Sequence, residues 1–178
     1  MFRQGNTQTI KHCVTLQEAT NKTRIFQYTF TVGRGRNSKI HNYTVISVVF
    51  DRSVPHMYLN YRGDGYDVSV GKTIPLPQEF QKDFTISIPE GYHIEALEIF
   101  TPEILATILD LGFTVDIELI DNQIYFFLKQ ERSFGMKFKK HLQMLENQYN
   151  AVVILMGLLK PRLDRFTFTK IGDLSHTL

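Results

Sequence analysis

The residues able to do chemistry in this chain are few and scattered. Its six histidines, His12, His41, His56, His93, His141 and His176, lie in no HExxH run, no paired-cysteine setting and no triad-like context. Neither a zinc site nor a nucleophile with its base is therefore spelled out. His12 and Cys13 are adjacent, but neighbours on a strand point to opposite faces, whereas a general base must hydrogen-bond its nucleophile. Asp64 and Asp67, in the turn-like segment RGDGYD, supply too few oxygens for a calcium loop. The triplet Arg62, Gly63, Asp64 is short enough to recur by chance. His93, Glu95 and Glu98, near a predicted helix start, are the first residues to suspect if an enzyme pocket is hidden from sequence, although solvated charges on an exposed face explain them as well. The reading is of no catalytic residue, no cofactor and no metal ligand.

One kind of chemistry does stand out, and it is anion binding. Arg34, Arg36 and Lys39 surround Gly33 and Gly35 in the segment GRGRNSK. Guanidinium groups beside exposed backbone amides suit phosphate or carboxylate. The segment is neither a Walker loop, because no GK[ST] follows, nor a GxGxxG fingerprint. A second basic group, Lys137, Lys139 and Lys140, falls on the outer side of a predicted helix. These six residues form the candidate site for an anion or a partner. Charge along the chain supports the choice: residues 1–50 carry seven Lys and Arg against one Glu, residues 51–131 five against fourteen acidic, and residues 132–178 eight against three. Such blocks either present a basic face to an acidic partner or complement one another across the fold.

The elements that must position these residues are legible from periodicity. The 178 residues, 43% apolar and 21% charged, suffice for one domain with a sizeable core. Fourteen Phe, eight Tyr and no Trp tilt the chain towards strands. Residues 9–16 alternate through Ile10, His12, Val14 and Leu16 as a half-buried strand. Residues 23–32 set Phe26, Tyr28, Phe30 and Val32 on one face, then turn at Gly33 to Lys39 into the apolar run 43–50, a long hairpin with a basic tip. Val54, Pro55 and His56 break the pattern, and Met57, Leu59 and Tyr61 open a further short strand. Residues 71–77 read as a connector because of their prolines.

Phe80, Phe84, Ile86 and Ile88 line another strand. A short helix follows with Ile94, Leu97 and Phe100 inward, and then a second helix with Thr101 as N-cap, Pro102 at its first position and Gly112 beyond its end. Residues 113–120 and 123–128 are expected as a hairpin turning at Asp121 and Asn122. Ser133 starts a helix to about Gln148 with Phe134, Phe138, Leu142 and Leu145 inward, and the run 151–159 continues it or forms another, ended by Pro161. The expected class is α+β: a mainly antiparallel sheet with three or four helices in the C-terminal half. Residues 1–160 form a single domain, and 161–178 a C-terminal tail docking as an edge strand.

Several of these passages resemble an uncharacterised bacterial domain family of unknown function, whose members are often linked to N-terminal transmembrane helices. The matching passages are FQYTFTVGRGR (26–36), PHMYL (55–59) and EFQKDFTISIPEGYHIEALEIFTPEILATIL from residue 79, with Phe80, Phe84, Glu95, Ala96, Leu97, Thr101 and Pro102 at the family's positions. The resemblance covers roughly residues 23–130. It implies a setting beside a membrane, and it carries no activity or site residue over, since the family has none established.

The single Cys13 excludes an internal disulfide and fits a reducing cytoplasm. No signal-peptide h-region and no apolar run of about 18 residues occurs. The expected function is that of a non-enzymatic interaction module, acting on a protein or on an anionic membrane surface at the inner face of a bacterial membrane. The alternatives are nucleic-acid binding through the hairpin tip, against which the acidic middle block counts, and an enzyme with an unrecognised pocket.

Overall fold

The alternating aromatics of residues 22–32 need an apolar surface on one side, and the chain supplies it by folding β2 (Lys22–Val32) against β3 (Lys39–Tyr61). The two pair antiparallel in unbroken register from Lys22 opposite Val49 to Val32 opposite Lys39. This computed structural model describes residue 5 and residues 7–17, 22–62, 69–130 and 138–165. The remaining strands are β1 (Thr7–Gln17), β4 (Lys72–Ile74), β5 (Phe84–Ile88) and β6 (Val115–Lys129). Together they make one six-stranded antiparallel sheet in the order β1-β2-β3-β5-β4, with β6 along the other side of β3. Helices α1 (His93–Ile99), α2 (Pro102–Asp110) and α3 (Phe138–Leu163) lie in the C-terminal half, so the fold is α+β.

β3 is the organising strand. Its first half pairs with β2 on one edge and its last residues, Tyr58 to Tyr61, pair with β5 on the same edge. β6 follows its opposite edge from Tyr43 to Leu59. The expected break at Val54 to His56 is therefore an interruption within one strand. Between the pairs Val49 opposite Gln123 and Val54 opposite Asp121, four residues of β3 stand against one of β6. Pro55, which has no amide to donate, falls where the ladder is already interrupted.

The hairpin expected at Asp121 and Asn122 does not form. Both halves of that segment find β3 rather than each other, and Asp121 adopts a left-handed φ of 53° opposite the bulge, a conformation Asp tolerates better than most residues.

The sheet has a different core on each face. On one, Ile46, Val48, Leu59, Ile117, Ile124 and Phe126 pack beneath Ile99 of α1, Ile104, Leu105 and Ile108 of α2, and Val152, Leu155 and Leu159 of α3. On the other, Phe26, Tyr28, Phe30, Tyr43, Val45, Tyr58 and Phe127 form an aromatic cluster. Phe30 stacks on His41 at 4.9 Å and on Tyr43 at 5.9 Å. Side chains of this size each contribute roughly 1.5–3 kcal/mol on burial.

The other differences from expectation have local causes. β1 is exposed along its whole length, and its bulge between Lys11 and Val14 places Ile10 opposite Tyr28 but Val14 opposite Ile25, on opposite faces. β4 is a short strand on β5 within what reads as a connector. α1 buries Ala96 and Ile99 and leaves Ile94 72% and Leu97 42% exposed, because small Ala96 lets Ile99 and Phe100 reach the core. Thr101 precedes α2, but its side chain does not cap it.

α3 is one helix, in which Pro161 occupies the last turn and does not end it. Its buried stripe is Gln148, Ala151, Val152, Leu155, Leu159 and Leu163, whereas Leu142 is exposed and Leu145 only half-buried. Phe134, the Phe138 side chain and residues 166–178, where the edge strand is expected, lie outside the described residues.

Candidate functional site

The basic hairpin tip is a built turn. Gly33 has φ +87°, and a Cβ there would stand 2.9 Å from the Asn37 carbonyl oxygen, so only glycine fits. One 3₁₀ turn, Gly35–Asn37, carries Arg36 and is closed by the Ser38 amide donating to the Gly35 carbonyl at 3.2 Å. Residues 33–40 are all exposed, which presents Arg34, Arg36 and Lys39 to solvent. Ile40, next to Lys39, is 48% exposed.

The second basic group sits where α3 carries no burial. Within residues 139–147 every residue is exposed or half-exposed, and packing begins at Gln148. Lys139 and Lys140 are exposed there, and Leu142 beside them is 49% exposed. Lys137 lies outside the described residues. Among the described residues none of Arg34, Arg36, Lys39, Lys139 and Lys140 forms an ion pair. β6 ends opposite Tyr43 at the tip side of the sheet, where the Gln130 amide donates to the Asn42 carbonyl at 2.8 Å, and the chain leaves for α3 from there.

At its other end α3 is compensated. Arg162 donates to Glu103 of α2 at 2.7 Å and to the Leu158 carbonyl at 3.0 Å. Lys160 reaches Asp164 at 3.3 Å. A cleft of about 510 Å³ here brings together Glu98, Thr101, Arg162 and Arg165. The acidic middle block and the basic C-terminal block thus meet at this end. His93, Glu95 and Glu98, all on α1, make no hydrogen bond to a nucleophile among the described residues, and there no three His, Cys, Asp or Glu side chains converge as a metal site would require.

One hydrogen-bonded pair of titratable side chains was hidden from sequence. His56 Nε2 lies 2.9 Å from Glu118 Oε1, although the residues are 62 apart. They meet because Glu118 stands opposite Tyr58 across the β3 and β6 ladder, two residues from His56 on the same face. Burial pushes the Glu118 carboxyl up and the His56 hydrogen bond pulls it down, and on balance the group lies below the usual carboxylate value. Burial, then the Glu118 charge, push the Tyr125 hydroxyl up. Only strand register signals this pair, and register follows from the β3 and β6 pairing that the sequence disguises.

Phe26, Tyr28 and Phe30, which precede the tip, are all buried. Their rings offer no open face for a nucleobase to stack on. Among the described residues no helix is long and apolar enough to cross a membrane, and the sole cysteine, Cys13, is exposed. Comparison of the chain with known protein families, curated proteins and solved structures returned no match.

Proposed function

We propose that this chain is a non-enzymatic interaction module whose basic hairpin tip and N-terminal half of α3 engage an anionic membrane surface, at the inner face of a bacterial membrane. The observation that carries the proposal is that five exposed cations lack ion pairs among the described residues, and each group has an exposed aliphatic side chain beside it, Ile40 and Leu142. Cations attract anionic headgroups and an apolar neighbour inserts between them, the combination that interfacial binding uses. The resemblance of residues 23–130 to a domain often linked to transmembrane helices supports the same setting. Nucleic-acid binding through Arg34, Arg36 and Lys39 is the weaker reading, because the adjacent aromatics are buried. Behind an enzymatic reading the described residues hold no converged group of three His, Cys, Asp or Glu side chains.

The test is sedimentation with vesicles of phosphatidylcholine alone and with phosphatidylglycerol added. Recovery in the pellet with the anionic vesicles only, declining as salt rises, is expected. Equal recovery in both supernatants overturns the proposal.

A further inference from the structure

A cleft of about 700 Å³ opens where β3 ends, between Arg62, β4, β5 and the residues 75–83 that join those two strands. Its charge is of one sign: Arg62 and Lys82 line it, and among the described residues no acidic side chain does. The joining segment is a built wall. The Phe80 amide donates to the Pro77 carbonyl and the Phe84 amide to the Phe80 carbonyl, both at 2.9 Å, and Gln81 Nε2 donates to the Leu76 carbonyl at 2.7 Å.

Arg62 is oriented at both ends. Its amide donates to the Asp83 carbonyl at 2.9 Å, and its Nε donates to Thr85 Oγ1. Thr85 belongs to β5 and is only 8% exposed, so the guanidinium is fixed by a buried partner on a strand. With Nε engaged, Nη1 and Nη2 form the remaining edge of the fork, and among the described residues neither meets an acceptor. That edge matches the two oxygens of one carboxylate. Lys82 differs, because its side chain is 81% exposed and stands 3.9 Å from Asp83, and it adds charge without direction. Pro75 and Leu76 supply carbon along the wall, and the side-chain amides of Gln78 and Gln81 supply neutral hydrogen-bonding groups. The volume is that of a small-molecule site and exceeds what a lone ion needs. A phosphate would turn further oxygens away from the planar fork, towards the mobile Lys82 alone among the cations.

We propose that this cleft binds a small organic carboxylate, its carboxyl on the Arg62 fork and its body along Pro75 and Leu76, a site independent of the anionic-surface contact. The experiment follows the Arg62 Nε–H and backbone amide shifts of the full chain during titration with N-acetyl-leucine, its neutral amide N-acetyl-leucinamide, and inorganic phosphate. Saturable shifts with N-acetyl-leucine at Arg62, Thr73 and residues 81–85 are expected, with the other two probes at least about tenfold weaker. Arg62→Lys keeps the charge but loses the fork, and should weaken binding about tenfold. Thr85→Val releases the guanidinium from its anchor: binding should weaken about threefold and the Arg62 Nε–H should exchange faster, which a purely packing role for Thr85 would not produce. Lys82→Ala should change binding by less than about twofold. Thr85→Val carries the test if Arg62→Lys does not fold. The proposal is overturned if N-acetyl-leucine gives no saturable shift at Arg62, if the neutral amide or phosphate binds as tightly, or if the folded variants at Arg62 and Thr85 bind as the parent does. Vesicle sedimentation should be the same for these variants as for the parent, so failure here leaves the membrane reading standing; a loss of vesicle binding would assign Arg62 to the membrane contact and overturn the independent site.

Discussion

At its C-terminal turn α3 sets Arg162 against Glu103 and Lys160 against Asp164, whereas near its N-terminus Lys139 and Lys140 form no ion pair among the described residues. The same helix thus uses positive charge in two ways. At the packed end the cations join α3 to α2 and satisfy a backbone carbonyl. At the unpacked end they add nothing visible to the fold, and they share that property with Arg34, Arg36 and Lys39 on the hairpin tip. Charge with a partner inside the molecule explains itself by stability, while charge without one directs attention to a partner outside.

The largest effect should come from the tip. Replacing Arg34, Arg36 and Lys39 together by Ala removes about 1 kcal/mol of surface attraction per cation, so binding to anionic vesicles should fall about a hundredfold. The free energy of unfolding in urea should stay within about 0.5 kcal/mol of the parent, since these side chains are exposed. Lys139→Ala with Lys140→Ala should weaken vesicle binding by about thirtyfold on the same arithmetic, again with unchanged melting. A loss of stability in either variant would contradict the distinction between the two ends.

Next in size is His56→Ala, which removes a hydrogen bond from the buried Glu118 carboxylate. A cost of about 1.5 kcal/mol in equilibrium unfolding at pH 7 is expected, with no change in vesicle binding. The pH dependence has a definite sign. Glu118 is held below its unfolded value, so its contribution is present above about pH 4.5, the ordinary value, and is lost as pH falls through the lower folded value. Glu118→Gln should remove that acid-side component, which unfolding curves collected from pH 7 downward would reveal. The smallest effect is expected from Arg162→Ala, about 0.5 kcal/mol, because Glu103 is mostly exposed and solvent screens the pair.

Much of the scaffold could be read from side-chain periodicity. The aromatic face of β2, the hairpin with its basic tip and the start of α2 at Pro102 all follow from local pattern, because each is decided by neighbours in the chain. The bent pairing of β3 with β6 could not be read in this way. Asp121 and Asn122 favour a turn locally, but β3 offers both halves of the segment a longer apolar partner, and the non-local pairing wins. α1 shows a related limit. In seven residues two helix rotations both yield an apolar stripe, and the room created by Ala96 selects the one that buries Ile99.

For the candidate site, the identity of the cations was legible, whereas their lack of ion pairs among the described residues was not. That depends on where acidic groups from distant segments arrive, as Glu103 does at Arg162.

The length of β3 carries a consequence for how the molecule opens. Its first half is held by β2 and β6, and its last residues by β5 and β6, so neither portion can detach without breaking ladders on both sides. Amide protons of Tyr43 to Val49 and of Tyr58 and Leu59, the parts of β3 laddered on both edges, should consequently exchange with deuterium only when the entire molecule unfolds, at a single common rate under native conditions. Those of β1, paired on one side alone, should be replaced by local fraying long before.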